Sequence, residues 1–110
     1  MTDVKQLALE YFGAFASRDI EVVKAKLAST VTLRDWVLNK QGLDEVVAAT
    51  AEIFAGCNAI KVGVSALYVE SNVAIAELEI SFDSDEAILV LDVIEFDQSG
   101  QIASIRAFKG

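Results

Sequence analysis

The chain has 110 residues, the length of one domain, and 54% of them are hydrophobic. Nine lysines and arginines against 17 aspartates and glutamates leave a net charge of −8, which repels phosphate backbones and anionic lipid and argues against binding nucleic acid or a membrane surface. There is no histidine and only one cysteine, Cys57, so the commonest metal ligand and general base is missing and neither a disulfide framework nor a cysteine-rich zinc site can be built.

The opening MTDVKQLALEYF carries acidic residues and helical spacing where a signal peptide would have a basic end and a long apolar run. No apolar stretch is long enough to span a bilayer, and a cytoplasmic location is expected. Thr2 or Asp3 can cap a first helix, on which Val4, Leu7, Ala8, Tyr11 and Phe15 form an apolar stripe. Asp19 reads as the cap of a second, shorter helix with Val22, Val23 and Leu27 facing inward and Glu21 suiting the helix dipole. The β-branched run Thr30 to Leu38 predicts a strand. A third helix begins near Gly42, carries Leu43, Val46, Val47 and Phe54 on one stripe, and stops at Gly56.

From Ala59 the period changes to two, and four strands are predicted: Ala59 to Glu70, Val73 to Phe82, Ala87 to Phe96 and Gln101 to Lys109. Ser71-Asn72, Asp83-Ser84-Asp85 and Asp97-Gln98-Ser99-Gly100 are short turns, so these strands should form an antiparallel meander. Helices first and an antiparallel sheet last mean a single α+β domain over residues 1–110, with three N-terminal helices packed on one face of the antiparallel sheet. The strand from Ala87 to Phe96 is apolar on both faces, so its other face needs a cover, and a homodimer packed through the sheet is expected.

Asp92 stands out on that strand. Its same-face neighbours are Ile88, Val90, Ile94 and Phe96, and a carboxyl desolvated in this way should hold its proton. A protonated carboxyl donates a hydrogen bond, which suits a substrate oxygen gaining negative charge. The other reading is a structural pair with Arg106 or a capped loop. Asp35 is a second acid, sharing a face with Val31, Leu33 and Val37; it is either a pocket acid or a strand-end aspartate facing water or pairing with Arg34 or Lys40. Tyr11 has its ring in the helix stripe, and a buried phenol needs a partner such as a carboxyl across a cavity. Glu77 and Glu79 read as solvent-side charges, the DSDE turn lacks the spacing of a calcium loop, and no glycine-rich phosphate cradle or serine nucleophile signature is present.

The stretches YFGAFASRDIEVVKAKLASTVTLRD, QGLDEVVAATAEIF and VLDVIEFDQSGQIASIRAF, in that order, resemble the NTF2-like (cystatin-like cone) superfamily, which includes ketosteroid isomerases and SnoaL-type polyketide cyclases. They cover most of the chain, and the closing DVIEFD-x-x-G-x-I-x-x-I-R-A-F pattern is the most specific part. The resemblance to ketosteroid isomerase implies catalytic roles for three positions: Asp35 in VTLRDW as the base, and Tyr11 with Asp92 in LDVIEFD as the oxyanion hole. It implies no metal and no cofactor, and a neutral carboxylic acid at Asp92. Arg34-Asp35-Trp36 stands where the family has Asp-Pro after an acidic residue, and the loop from Trp36 to Gly42 is short. Phe15, Trp36, Phe54, Tyr68, Val90 and Phe108 are the expected substrate-binding residues, and a small apolar enone or cyclic ketone suits the shortened frame better than a steroid. A SnoaL-type cyclase, an epoxide hydrolase and a non-catalytic dimeric binding module are the alternatives on the same fold.

Overall fold

A computed structural model describes residues 3–110. Asp3 caps α1 (Val4–Ala16) by accepting from the Gln6 N–H at 3.1 Å; Thr2, the other expected cap, lies outside the described residues. Asp19 caps α2 (Ile20–Lys26) through the Val22 N–H, with Glu21 at its positive end and Lys24 and Lys26 at its negative end. Val23 is buried there, but Val22 faces solvent instead of the core, and Leu27 already belongs to β1 (Leu27–Arg34).

The strand expected over Thr30 to Leu38 is broken. It ends at Arg34, turns over Asp35–Leu38, and returns as β2 (Asn39–Gln41), paired antiparallel to β1. Gly42, at φ 89°, opens α3 (Leu43–Ala55), and Gly56 closes it. The meander follows as β3 (Ile60–Glu70), β4 (Val73–Phe82), β5 (Ile88–Phe96) and β6 (Ile102–Lys109).

All six strands make one sheet in the order β2-β1-β6-β5-β4-β3, antiparallel except for β1 against β6. Register shifts interrupt the β3–β4, β5–β6 and β1–β6 ladders. Such irregularities bend and twist a sheet, and here the concave face wraps the helices. The core lies between them, with Ile94, Ile102, Val23, Val31 and Val46 fully buried. Arg18, in left-handed backbone at φ 54° between α1 and α2, donates from Nη1 to the Phe54 carbonyl at 2.8 Å and to the Cys57 carbonyl. It thereby satisfies carbonyls at the end of α3 and ties the helical layer together.

Candidate active site

The site is a partly enclosed cavity of about 160 Å3 between the helical layer and the concave sheet face. Tyr11 and Phe15 enter from α1, Thr50 and Ile53 from α3, Asp35 and Trp36 from the β1–β2 turn, and Val90 and Asp92 from β5. The walls are almost wholly apolar, which desolvates whatever polar group faces inward.

Asp92 is 9% exposed. Its register partners are Ala76 on β4 and Ala107 on β6, two small side chains that leave room above the carboxyl. Burial, with the charge of Asp35 as a second cause, pushes the Asp92 carboxyl up from 3.8 to about 7. The pairing with Arg106 does not form: Arg106 opposes Val93 in the ladder and faces solvent on the convex side of the sheet. Tyr11, 7% exposed, has its phenol held above its ordinary range by burial and then by the nearby Asp92. Neither side chain makes a hydrogen bond to another described residue, and neither holds a fully enclosed unpaired atom, so both polar tips open onto the cavity.

Asp35 is held differently. One carboxylate oxygen, Oδ1, accepts the backbone N–H groups of Val37 at 2.7 Å and Leu38 at 2.6 Å, while its own N–H donates to the Leu38 carbonyl. This is an aspartate turn, in which the side chain replaces the strand ladder as acceptor. Val37 consequently points to solvent at 79% exposure and does not share the apolar face. With Oδ1 engaged, Oδ2 is the oxygen free to face a ligand. Arg34 pairs in register with Arg106, away from the cavity.

Of the residues expected to line the site, Tyr11, Phe15, Asp35, Trp36, Val90 and Asp92 do meet in this cavity. Phe54 lies behind its wall, buried with its ring 5.3 Å from that of Phe15 in an edge-on contact. Tyr68 and Phe108 lie on the convex face, 57% and 48% exposed, and do not line the cavity. Both displacements have one cause. The register shift between Val64 and Ala66 turns the inward set on β3 from Val62 and Val64 to Leu67, so Tyr68 faces out. The shift at Glu95/Phe96 does the same on β6, where Ile105 and Ala107 face in and Phe108 faces out. Phe12, Leu33 and Thr50 also line the cavity. Thr50 was hidden as a helix-interior residue, and its hydroxyl donates to the Val46 carbonyl at 2.9 Å. Among the described residues no group of three or more potential metal ligands is gathered.

The family model of the SnoaL-like domain matches residues 8–105. The chain belongs to that family. Its fold is similar to that of a SnoaL-like protein of unknown function from Burkholderia thailandensis, with TM-score 0.87, 13% identity, and coverage of 97% of this chain and 93% of that one. It is also similar to a ketosteroid isomerase-like protein from Kribbella flavida (TM-score 0.85, 18% identity, 97% and 77% covered). An LEH-like epoxide hydrolase from M. tuberculosis shares the fold as well (TM-score 0.83, 14% identity, 97% and 82% covered). No curated protein matches the sequence significantly.

Proposed function

We propose that the chain is a cofactor-independent proton-transfer enzyme that isomerises a double bond in a small apolar carbonyl compound. The observation that carries this reading is the convergence of Asp35, Tyr11 and Asp92 on one apolar cavity. The free oxygen of Asp35 takes the proton α to the carbonyl. The C–H electron pair becomes the enolate double bond, and the carbonyl π pair moves to oxygen. Tyr11 and protonated Asp92 donate to that oxygen, each worth about 3 kcal/mol in the transition state. Asp35 then returns the proton at the γ-carbon, and positioned acid–base transfer of this kind contributes about 10²–10⁴-fold.

Size narrows the substrate. A cavity of about 160 Å3 compares with the roughly 150 Å3 apolar cavity that holds benzene, so a monocyclic ketone fits and a tetracyclic one does not without opening the cone. No lysine or arginine is among the cavity-lining residues, which favours neutral substrates over carboxylates and phosphates and gives no support to an arginine-assisted hydrolase. The direct assay is conversion of cyclohex-3-enone to its conjugated isomer. Asp35→Asn should lower kcat at least about 100-fold; equal turnover would remove Asp35 from its assigned role.

We also infer that the active form is a homodimer through the convex sheet face. Leu89, Leu91 and Phe108 are exposed there, a larger apolar grouping than scattered surface residues. Charged side chains flank this patch, with Arg34 and Arg106 adjacent on β1 and β6, Glu77 and Glu79 on β4, Glu95 on β5 and Lys61 on β3. A twofold axis along β5 lays β6 of one copy over β4 of the next, so Arg106 reaches the partner's Glu77 around a centre of Leu91, Val93 and Phe108.

A further inference from the structure

The cavity gathers acidic groups without a counter-charge. Two carboxyls open into it, from Asp35 and Asp92, with no cationic side chain among its lining residues to balance them. Aromatic rings stand around the same space: Tyr11 and Phe15 are 6.3 Å apart, and the half-exposed Trp36 also lines it. Carboxylates at one end and aromatic faces along the wall are the two groups that recognise an organic cation, by charge-assisted hydrogen bonds and by attraction to the ring quadrupole.

We propose that the cavity also binds a small hydrophobic ammonium compound, its N–H groups donating to the carboxyls of Asp35 and Asp92 and its carbon frame packed against Tyr11, Phe15 and Trp36. This inference rests on the reading that both acids face one cavity, and it is separable from the oxyanion role because the two ligand classes want opposite protonation states of Asp92. An enolate or phenol wants the neutral acid as donor. An ammonium wants the carboxylate.

The titratable groups that face Asp92 come from two elements. Tyr11 of α1 faces Asp92, and Asp35 approaches from the β1–β2 turn. The residues that α3, β3, β4 and β6 contribute to the cavity are all uncharged. Since Asp92 titrates near about 7, a cation bound beside it releases its proton, and affinity for the cation rises through neutrality. For a neutral phenol held by the acid, affinity falls over the same interval.

Calorimetric titration of the intact protein at pH 6 and pH 8 with benzylamine, its neutral isostere benzyl alcohol, and phenol tests this directly. Benzylamine, cationic at both pH values, should bind about tenfold tighter than benzyl alcohol at pH 8 and weaken several-fold at pH 6, with phenol changing in the other direction. Asp92→Asn should remove the pH dependence of benzylamine and preserve phenol binding, while Asp35→Asn/Asp92→Asn should bring benzylamine down to the affinity of benzyl alcohol. Loss of phenol binding with benzylamine still bound would sink the oxyanion reading alone. Benzylamine binding no tighter than benzyl alcohol at pH 8, or equally tight in the double variant, would overturn the ammonium site.

Discussion

At the scale of single residues, the protein gives two aspartates within electrostatic reach of each other different surroundings. Asp35 has two backbone N–H donors, whereas Asp92 has alanines beside it and a largely apolar cavity above it. The folded chain therefore holds the Asp92 proton up to about pH 7, while the unfolded chain releases it near 3.8. Within that window the folded state binds the extra proton, so this contribution to stability is full at its acid end and is lost as pH rises toward neutrality. Asp92→Asn is neutral throughout. The stability of the wild type relative to Asp92→Asn should fall by about 1.4 kcal/mol per pH unit across the window and level off above it, as measured by urea denaturation from pH 5 to 8. A pH-independent difference would contradict the burial of an ionisable Asp92. The two acids are also coupled: Asp35→Asn removes one cause of the raised titration, so the Asp92 midpoint, followed by carboxyl carbon NMR, should move down while burial keeps it above the ordinary range.

At the scale of elements, the β1–β2 turn and the Arg18 bridge position the site. Asp35→Asn retains an oxygen for the Val37 and Leu38 N–H groups, whereas Asp35→Ala leaves both without an acceptor. The alanine variant should be less stable than the asparagine variant by about 1–2 kcal/mol in chemical denaturation. Arg18→Ala should cost about 2 kcal/mol by stripping the end of α3 of its guanidinium donor, and Arg18→Lys should recover only part of it. The caps at Asp3 and Asp19, the limits of β4 at Val73 and Phe82, and the inward face of Asp92 were legible in the sequence, because capping and alternation are local signals. The break at Asp35 was not. Its apolar alternation runs on past the point where a side chain takes the N–H groups of the ladder. Tyr68 and Phe108 were assigned to the wrong face for a related reason: a single inserted residue reverses every later side chain on a strand, and nothing in residue type marks the insertion. The parallel pairing of β1 with β6 joins distant segments that no local pattern connects.

At the scale of the whole molecule, the two faces of one sheet differ: the cavity lies on the concave side, and Leu89, Leu91 and Phe108 are exposed on the convex side, where we propose self-association. Sedimentation equilibrium at micromolar concentration should give a dimer. Arg106→Glu should give monomers, and adding Glu77→Arg should restore association; a wild-type monomer would contradict the assignment of this face. The chemistry itself is most directly read from exchange. In deuterated buffer, wild-type protein should catalyse deuterium incorporation at the α-carbon of cyclohex-3-enone, resolved by NMR before and during isomerisation. Asp35→Asn should abolish that exchange, and Asp92→Ala should slow it at least about 100-fold. Wild-type protein giving neither exchange nor isomerisation above the buffer rate, or Asp35→Asn giving either at the wild-type rate, would contradict proton transfer by Asp35 in this cavity.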